Sequence, residues 1–260
     1  LGKLGKKIMF LSLIVSFYGA LIAYYIGAGV ALKEVLGFSL GVQNINYILL
    51  FFFFGSLLFF LGKSAIKLSE EFMVFFKLVF ILIIGVFAIP HIQISNIAYI
   101  NLSNIFYPYG IILFAFLGSS IIPEIRQNLI GQEKKLKKIL LFGMIVPIIV
   151  YSFFAFYVVA VLGSGTTDVA TQGLGIKIGE GFGIISNLFA LLCIVTPYLA
   201  FEMILKDMFV NDYLKSRFQA WILSCLIPVL LAVSVLLIGV ENGFSMLLST
   251  TGAIAGGIQC

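Results

Sequence analysis

The chain has 260 residues, of which 62% are apolar and only 10% charged, and its mean hydropathy is +1.17. Soluble domains carry roughly a quarter charged residues, so this composition excludes a soluble globular protein and points to a polytopic membrane protein. The net charge of +5 is then no nucleic-acid footprint, and Cys193, Cys225 and Cys260, without CxxC spacing, imply neither zinc nor disulfides.

Taken in order, the sequence reads as an all-α membrane protein of about eight spans, at roughly 20 residues per crossing. They cover residues 8–32, 45–61, 72–89, 107–129, 139–162, 182–205 and 218–240, and an eighth opens at Phe244 and runs to the chain end. No soluble domain interrupts them, so residues 1–260 form a single transmembrane domain. The first residue is Leu1 rather than Met, and the last stretch, STTGAIAGGIQC, stops within an apolar run. Both ends read as cut from a longer chain, and no cleavable signal peptide is visible.

Orientation follows from the basic residues. Lys3, Lys6, Lys7, Lys63, Lys67, Arg126, Lys134, Lys135, Lys137, Lys138, Lys206, Lys215 and Arg217 fall on one side; Lys33 and Lys177 fall on the other. The N-terminus of this chain and the QEKKLKK loop are therefore expected in the cytoplasm. The longest outer connection, residues 163–181, is rich in Gly and Thr and reads as a flexible or partly helical cover.

The fourth span, YPYGIILFAFLGSSIIPEIRQNL, is the irregular one. Gly118 raises the cost of helix, Ser119 and Ser120 compete for backbone hydrogen bonds, and Pro123 removes a donor and clashes one turn back. The helix is expected to open between Phe116 and Ser120, and freed backbone groups are tolerated in lipid only where protein or a watery cavity satisfies them. A merely kinked helix with small residues for close packing is the plainer alternative.

Ionisable groups within spans are candidates by default. Lys77 lies in the third span, either snorkelling to the interface or placing its ammonium in a protein-lined cavity. Glu202, one turn before Lys206, fits an i,i+4 pair. Glu124, just after Pro123, is a candidate gate residue with Arg126 and Lys134 nearby. Thr196, next to Pro197, offers a hydroxyl and loosened carbonyls suited to a sodium ion, or bonds back to its own helix. Tyr18, with Tyr24 and Tyr25, puts polar tips on the first span, to close over a substrate or to anchor at the interface.

Enzymatic constellations are missing. The sequence contains no HExxH, GxxxxGK[ST] or CxxC, and its single histidine, His91, sits at a helix end. No catalytic site, metal or cofactor is implied.

FAFLGSSIIPE (residues 114–124) resembles the discontinuous sixth helix of amino-acid permeases in the amino acid–polyamine–organocation superfamily. KLVFILIIG (residues 77–85) resembles their fifth helix, lysine included. LFALLCIVTPYLAFEMILKDMFVNDYL (residues 188–214) is similar to the eighth helix of the aromatic and hydroxy amino-acid permease branch. The resemblance implies that the eight spans correspond to helices three to ten of a LeuT-type inverted-repeat core, one of them discontinuous. The family's first two helices, the first of which holds the substrate carboxylate at a glycine-containing break, have no counterpart in these residues.

What the resemblance implies for the site is specific. Carbonyls at Phe116, Leu117 and Gly118, with Ser119 beside them, would hold the α-amino group, and Phe116 would stand against the substrate side chain. Lys77 matches the lysine that replaces a sodium ion in proton-coupled members, and Thr196 matches a sodium-ligand position. The expected protein is a secondary transporter in the cell membrane. It imports a neutral or aromatic amino acid by alternating access, with protons as the coupling ion. Its partners would be the amino acid, protons (or sodium) and the lipid bilayer, with no nucleic acid. The alternatives are a sodium-coupled symporter and a truncated, non-transporting scaffold subunit.

Overall fold

Helix accounts for the regular structure among the described residues, as expected where lipid leaves each backbone N–H and C=O to find its partner within the chain. The computed structural model describes residues 2–37, 44–61, 63–98, 102, 105–116, 122, 125–126, 129–212, 216–240 and 242–259. In order these form α1 (Gly2–Leu36), α2 (Ile45–Leu61), α3 (Lys63–Ala88), α4 (Tyr109–Ala115), α5 (Leu136–Leu162), α6 (Ala170–Ile178) and α7 (Glu180–Asp212). Then α8 (Arg217–Trp221) runs through a π turn, Ile222–Leu226, into α9 (Ile227–Ile238). Last, α10 (Gly243–Thr251) passes through a second π turn, Gly252–Gly256, into α11 (Gly257–Gln259).

Among the described residues, five helices are long and apolar enough to cross a membrane: Lys7–Leu36, Met73–His91, Glu133–Gly165, Glu180–Val210 and Phe218–Ile238. Two shorter apolar helices, Ile45–Leu57 and Gly243–Ile254, fall on the second and eighth expected spans. The fourth expected span shows only the short α4, and much of its remainder lies outside the described residues. Outward faces are apolar; on α5, Leu141, Phe142, Ile149 and Phe153 are each exposed. Such a surface suits lipid or a packed neighbour rather than water.

Helix α1 occupies the centre, packed on α7, α10, α2 and α9. Its small residues explain why. A Cβ added at Gly19 would meet Thr251 Oγ1 of α10 at 2.0 Å, and one at Gly29 would meet Ile48 of α2 at 2.7 Å. Without a hydrophobic force between helices in lipid, close backbone approach at small residues supplies the packing. Around α1 a first core gathers Tyr25, Ile48, Phe51, Tyr198, Leu205 and Val229. A second core joins α3, α5, α6 and α7 through Ile84, Tyr157, Val161, Leu174 and Phe189. Helix α7 borders both.

One end of the bundle is closed by the segment between α5 and α7, which is more helical and more firmly held than its Gly/Thr content suggests. Helix α6 is pinned to α7 by Thr171 Oγ1 donating to Asn187 Oδ1 at 3.0 Å and by Ser186 Oγ donating to the Thr171 carbonyl at 3.1 Å. Gln172 donates to Glu34 Oε1 at the end of α1. Asp168 accepts the backbone N–H groups of Phe244 and Ser245, each at 3.1 Å. Those are first-turn donors of α10, whose own N-cap, Asn242, is left-handed (φ 54°) and makes no side-chain cap. A residue remote in sequence thus does the capping.

Candidate functional site

Helix α7 organises the site, because its residues turn by about 100° each and so address three neighbours in succession. Cys193, Ile194, Pro197 and Phe201 face one way and line a cavity of about 880 Å³. Thr196 lies on one flank of that face and reaches α3, while Tyr198 and Glu202 lie on the other and meet α1.

The cavity is walled by α1 (Ser16, Phe17, Tyr24), α4 (Ile111, Ile112, Phe114, Ala115, with Phe116 just beyond), α5 (Tyr151, Ser152, Phe154), α7 and α10 (Phe244, Leu248). Its size falls within the roughly 300–1,000 Å³ of pockets that enclose small ligands, which are mostly apolar with a few placed polar groups. Aromatic rings dominate: Phe17 and Phe201 have centroids 5.0 Å apart, Tyr24 and Phe201 stack at 6.0 Å, and Phe116 leans on Tyr151 at 6.1 Å. Side-chain polarity on the wall comes from the hydroxyls of Ser16, Tyr24, Tyr151 and Ser152 and the thiol of Cys193. Among the described residues, no acidic side chain lines it.

Phe116 sits where helix α4 stops. It is the C-cap residue, at φ −104° and ψ 6°, and its N–H is shared between the Ile112 and Leu113 carbonyls. The helix therefore ends at the near edge of the expected break. Leu117, Gly118, Ser119 and the gate candidate Glu124 lie outside the described residues. Gly110 brings α4 against α10; a Cβ there would stand 2.2 Å from the Ser249 carbonyl oxygen.

Lys77 and Thr196, inferred separately from sequence, are in contact. Lys77 Nζ donates to Thr196 Oγ1 at 2.5 Å, and that hydroxyl donates in turn to the Leu192 carbonyl at 3.0 Å. Back-bonding of Thr196 to its own helix thus coexists with its role as acceptor. One residue on, Pro197 cannot donate to the carbonyl four residues back, that of Cys193. Cys193 lines the cavity and lies in the electrostatic reach of Lys77. The pair therefore sits behind the cavity wall rather than in it.

Tyr18 does not line the cavity. Its hydroxyl donates to the Leu223 carbonyl at 2.6 Å, inside the π turn that precedes Pro228. A π turn loosens the regular ladder and leaves carbonyls available, and Tyr18 takes one of them. Glu202 gives the opposite surprise, being 1% exposed with Tyr198 donating to it. Its partners are Tyr198, one turn back along α7, and through it Tyr25 of α1. The neighbouring Lys206 had suggested a plainer pairing.

An apolar-surfaced helical bundle around an aromatic-walled cavity, with a half-buried lysine behind the wall, is the build of a membrane permease. The chain belongs to the tryptophan/tyrosine permease family, whose sequence model matches residues 1–259. It is thus a multi-pass membrane amino-acid permease, and membership implies transport of aromatic amino acids. Comparisons with the curated proteins and with the solved structures gave no match.

Proposed function

We propose that the protein is a secondary active transporter that imports an aromatic amino acid across the cytoplasmic membrane, coupled to protons. The single observation that carries this reading is the Lys77–Thr196 hydrogen bond directly behind an aromatic cavity. The cavity suits an indole or phenol ring: edge-to-face and offset contacts with Phe116, Tyr151 and Phe201 are worth about 0.5–1.5 kcal/mol each beyond area burial. The end of α4 at Phe116 supports an opening there, with the carbonyls of Phe116, Leu117 and Gly118, beside Ser119, holding the α-amino group. Glu124 is kept as the gate residue. Tyr18 keeps its place in this reading as a brace on α1 rather than a wall residue.

Proton coupling is favoured over sodium coupling by charge. A sodium ion ligated by Thr196 Oγ1 would lie about 4 Å from the Lys77 ammonium, a repulsion of about 4 kcal/mol at an effective dielectric of 20. A lysine that releases its proton when its surroundings close replaces the cation chemically. Residues 1–260 act as one transporter domain in this reading. The spans correspond to helices three to ten of a LeuT-type core, and alternating access moves the cavity between the two faces. The excess of Lys and Arg on one side supports a cytoplasmic N-terminus for this chain.

The test is uptake of labelled tryptophan, tyrosine, phenylalanine and leucine by the full-length protein in proteoliposomes, under a proton gradient and then under a sodium gradient. Accumulation of the aromatic substrates under the proton gradient alone is the expected result. Accumulation under sodium alone would move the coupling to a Thr196-ligated ion, and no uptake or binding at all would favour a non-transporting scaffold.

A further inference from the structure

The transport reading makes no use of the other flank of α7, where a carboxyl group is buried between three helices. Glu202 is 1% exposed. Tyr198 donates to its Oε1, and Tyr25 Oη lies 2.8 Å from Tyr198 Oη, so with the Tyr198 proton committed to Glu202 the Tyr25 hydroxyl is the donor. Its other oxygen, Oε2, is buried with no N–H or O–H donor, and the polar group left near the carboxyl is the Cys225 thiol, at best a weak donor. The Phe51 ring stands 4.9 Å from that of Tyr198 and 5.8 Å from that of Tyr25, closing the pocket with apolar surface.

The surroundings are shaped to this cluster. Gly55 of α2 leaves room for the Tyr198 hydroxyl, which an added Cβ would approach to 2.6 Å. Among the described residues, the groups facing the carboxyl come from several elements. Helix α1 presents Tyr25, and the first π turn presents Cys225, whose thiol interacts with Glu202. Helix α7 itself adds Tyr198 and, one turn on, Lys206, which acts electrostatically on Cys225. Helix α2 contributes Phe51 and Gly55, neither of which titrates.

We propose that Glu202 is a second proton-binding site of this permease, separate from the Lys77–Thr196 pair, and that it binds and releases a proton during transport. This rests on the proton-coupled reading above. When the carboxylate is ionised, the donors run Tyr25 to Tyr198 to Oε1, and the bare Oε2 is the position left for a proton. The step is one of protonation: a proton from water adds to Oε2, the carboxylate becomes a carboxylic acid, and the reverse returns the proton to water. An ionised carboxylate with one oxygen orphaned in apolar surroundings is costly, and binding a proton removes that charge without breaking the donor chain. Because the chain crosses from α7 to α1, the protonation state bears on how those two helices hold together.

The experiment is an infrared difference titration of the full-length protein between acidic and alkaline buffer, run beside proteoliposome transport. Wild type should show a protonated-carboxyl band that titrates, and Glu202→Gln should lose it. Tyr198→Phe, which keeps the ring and removes the donor to Oε1, should shift the band; it serves as the second variant if Glu202→Gln folds poorly. In transport, Glu202→Gln should lower proton-driven accumulation by about tenfold, and its counterflow exchange should vary less with pH than that of wild type. A spectrum identical in wild type and Glu202→Gln, with Glu202 ionised throughout, would overturn the proposal, as would unaltered proton-driven accumulation in Glu202→Gln. If wild type exchanges aromatic substrates but shows no proton-driven accumulation, the coupling reading fails, and the infrared band still decides whether Glu202 binds a proton.

Discussion

Lys77 Nζ, from the middle of α3, donates to Thr196 Oγ1 of α7 at 2.5 Å, and the next residue along α7, Pro197, lines the cavity. A cation is thereby held one residue from the cavity wall. Replacing Lys77 by Ala removes the group proposed to carry the proton, so proton-driven accumulation should fall by about tenfold or more, the equivalent of ~1.4 kcal/mol. Initial rates under a proton gradient in proteoliposomes check this, and uptake unaltered by Lys77→Ala would remove the lysine from coupling.

Phe116 caps α4 and leans on Tyr151 across the cavity. Phe116→Ala should weaken binding of an aromatic substrate by about tenfold, the loss of one ring contact plus its buried area. Leucine binding should weaken less, and equilibrium binding of both ligands measures the difference. Equal losses would mean that the ring does not face the substrate side chain.

Asp168 caps α10 from across the bundle. Asp168→Ala leaves two first-turn N–H groups without their acceptor, at a cost of about 1–2 kcal/mol. The change should lower the Tm in detergent and speed proteolysis between α5 and α7. Asp168→Asn, which keeps an acceptor, should restore part of the loss.

The crossing of α4 and α10 is set by Gly110 against Ser249 and by Gly252 against Gly110, where a Cβ on Gly252 would lie 2.0 Å from the Gly110 carbonyl oxygen. Gly252→Val therefore overpacks the contact and should destabilise by about 1–3 kcal/mol. Thermal unfolding in detergent reads that cost. A substitution without effect would show that α4 has slack at this crossing.

Much of this was legible in the sequence, and the exceptions have physical reasons. Long apolar runs bounded by Lys, Gly and Pro mark α1, α3, α5 and α7 directly, because lipid solvation demands length and hydrophobicity. The short α4 with Phe116 as its C-cap, and Lys77 and Thr196 taken singly as candidates, follow from residue types costly or weakening in a membrane helix. Helix α6 was harder to read: it is only Ala170–Ile178, Gly-rich, and held by Thr171, Ser186 and Asn187 rather than by a long apolar stripe. The place of Tyr18 is not legible locally, because nothing near it in sequence reveals that Leu223, 205 residues away, offers a carbonyl in a π turn. Glu202 was paired with Lys206 by spacing, whereas burial and the contact through Tyr198 to Tyr25 depend on α1 and α7 lying side by side.

The measurement that bears most directly on the central claim is proton movement itself. The full-length protein would be sealed in vesicles with a pH-sensitive dye in the lumen, in sodium-free buffer, and tyrosine or tryptophan would be added outside. The account predicts that the lumen acidifies on adding substrate and that Lys77→Ala abolishes the response. Substrate uptake in sodium-free buffer with no change in lumenal pH would contradict it.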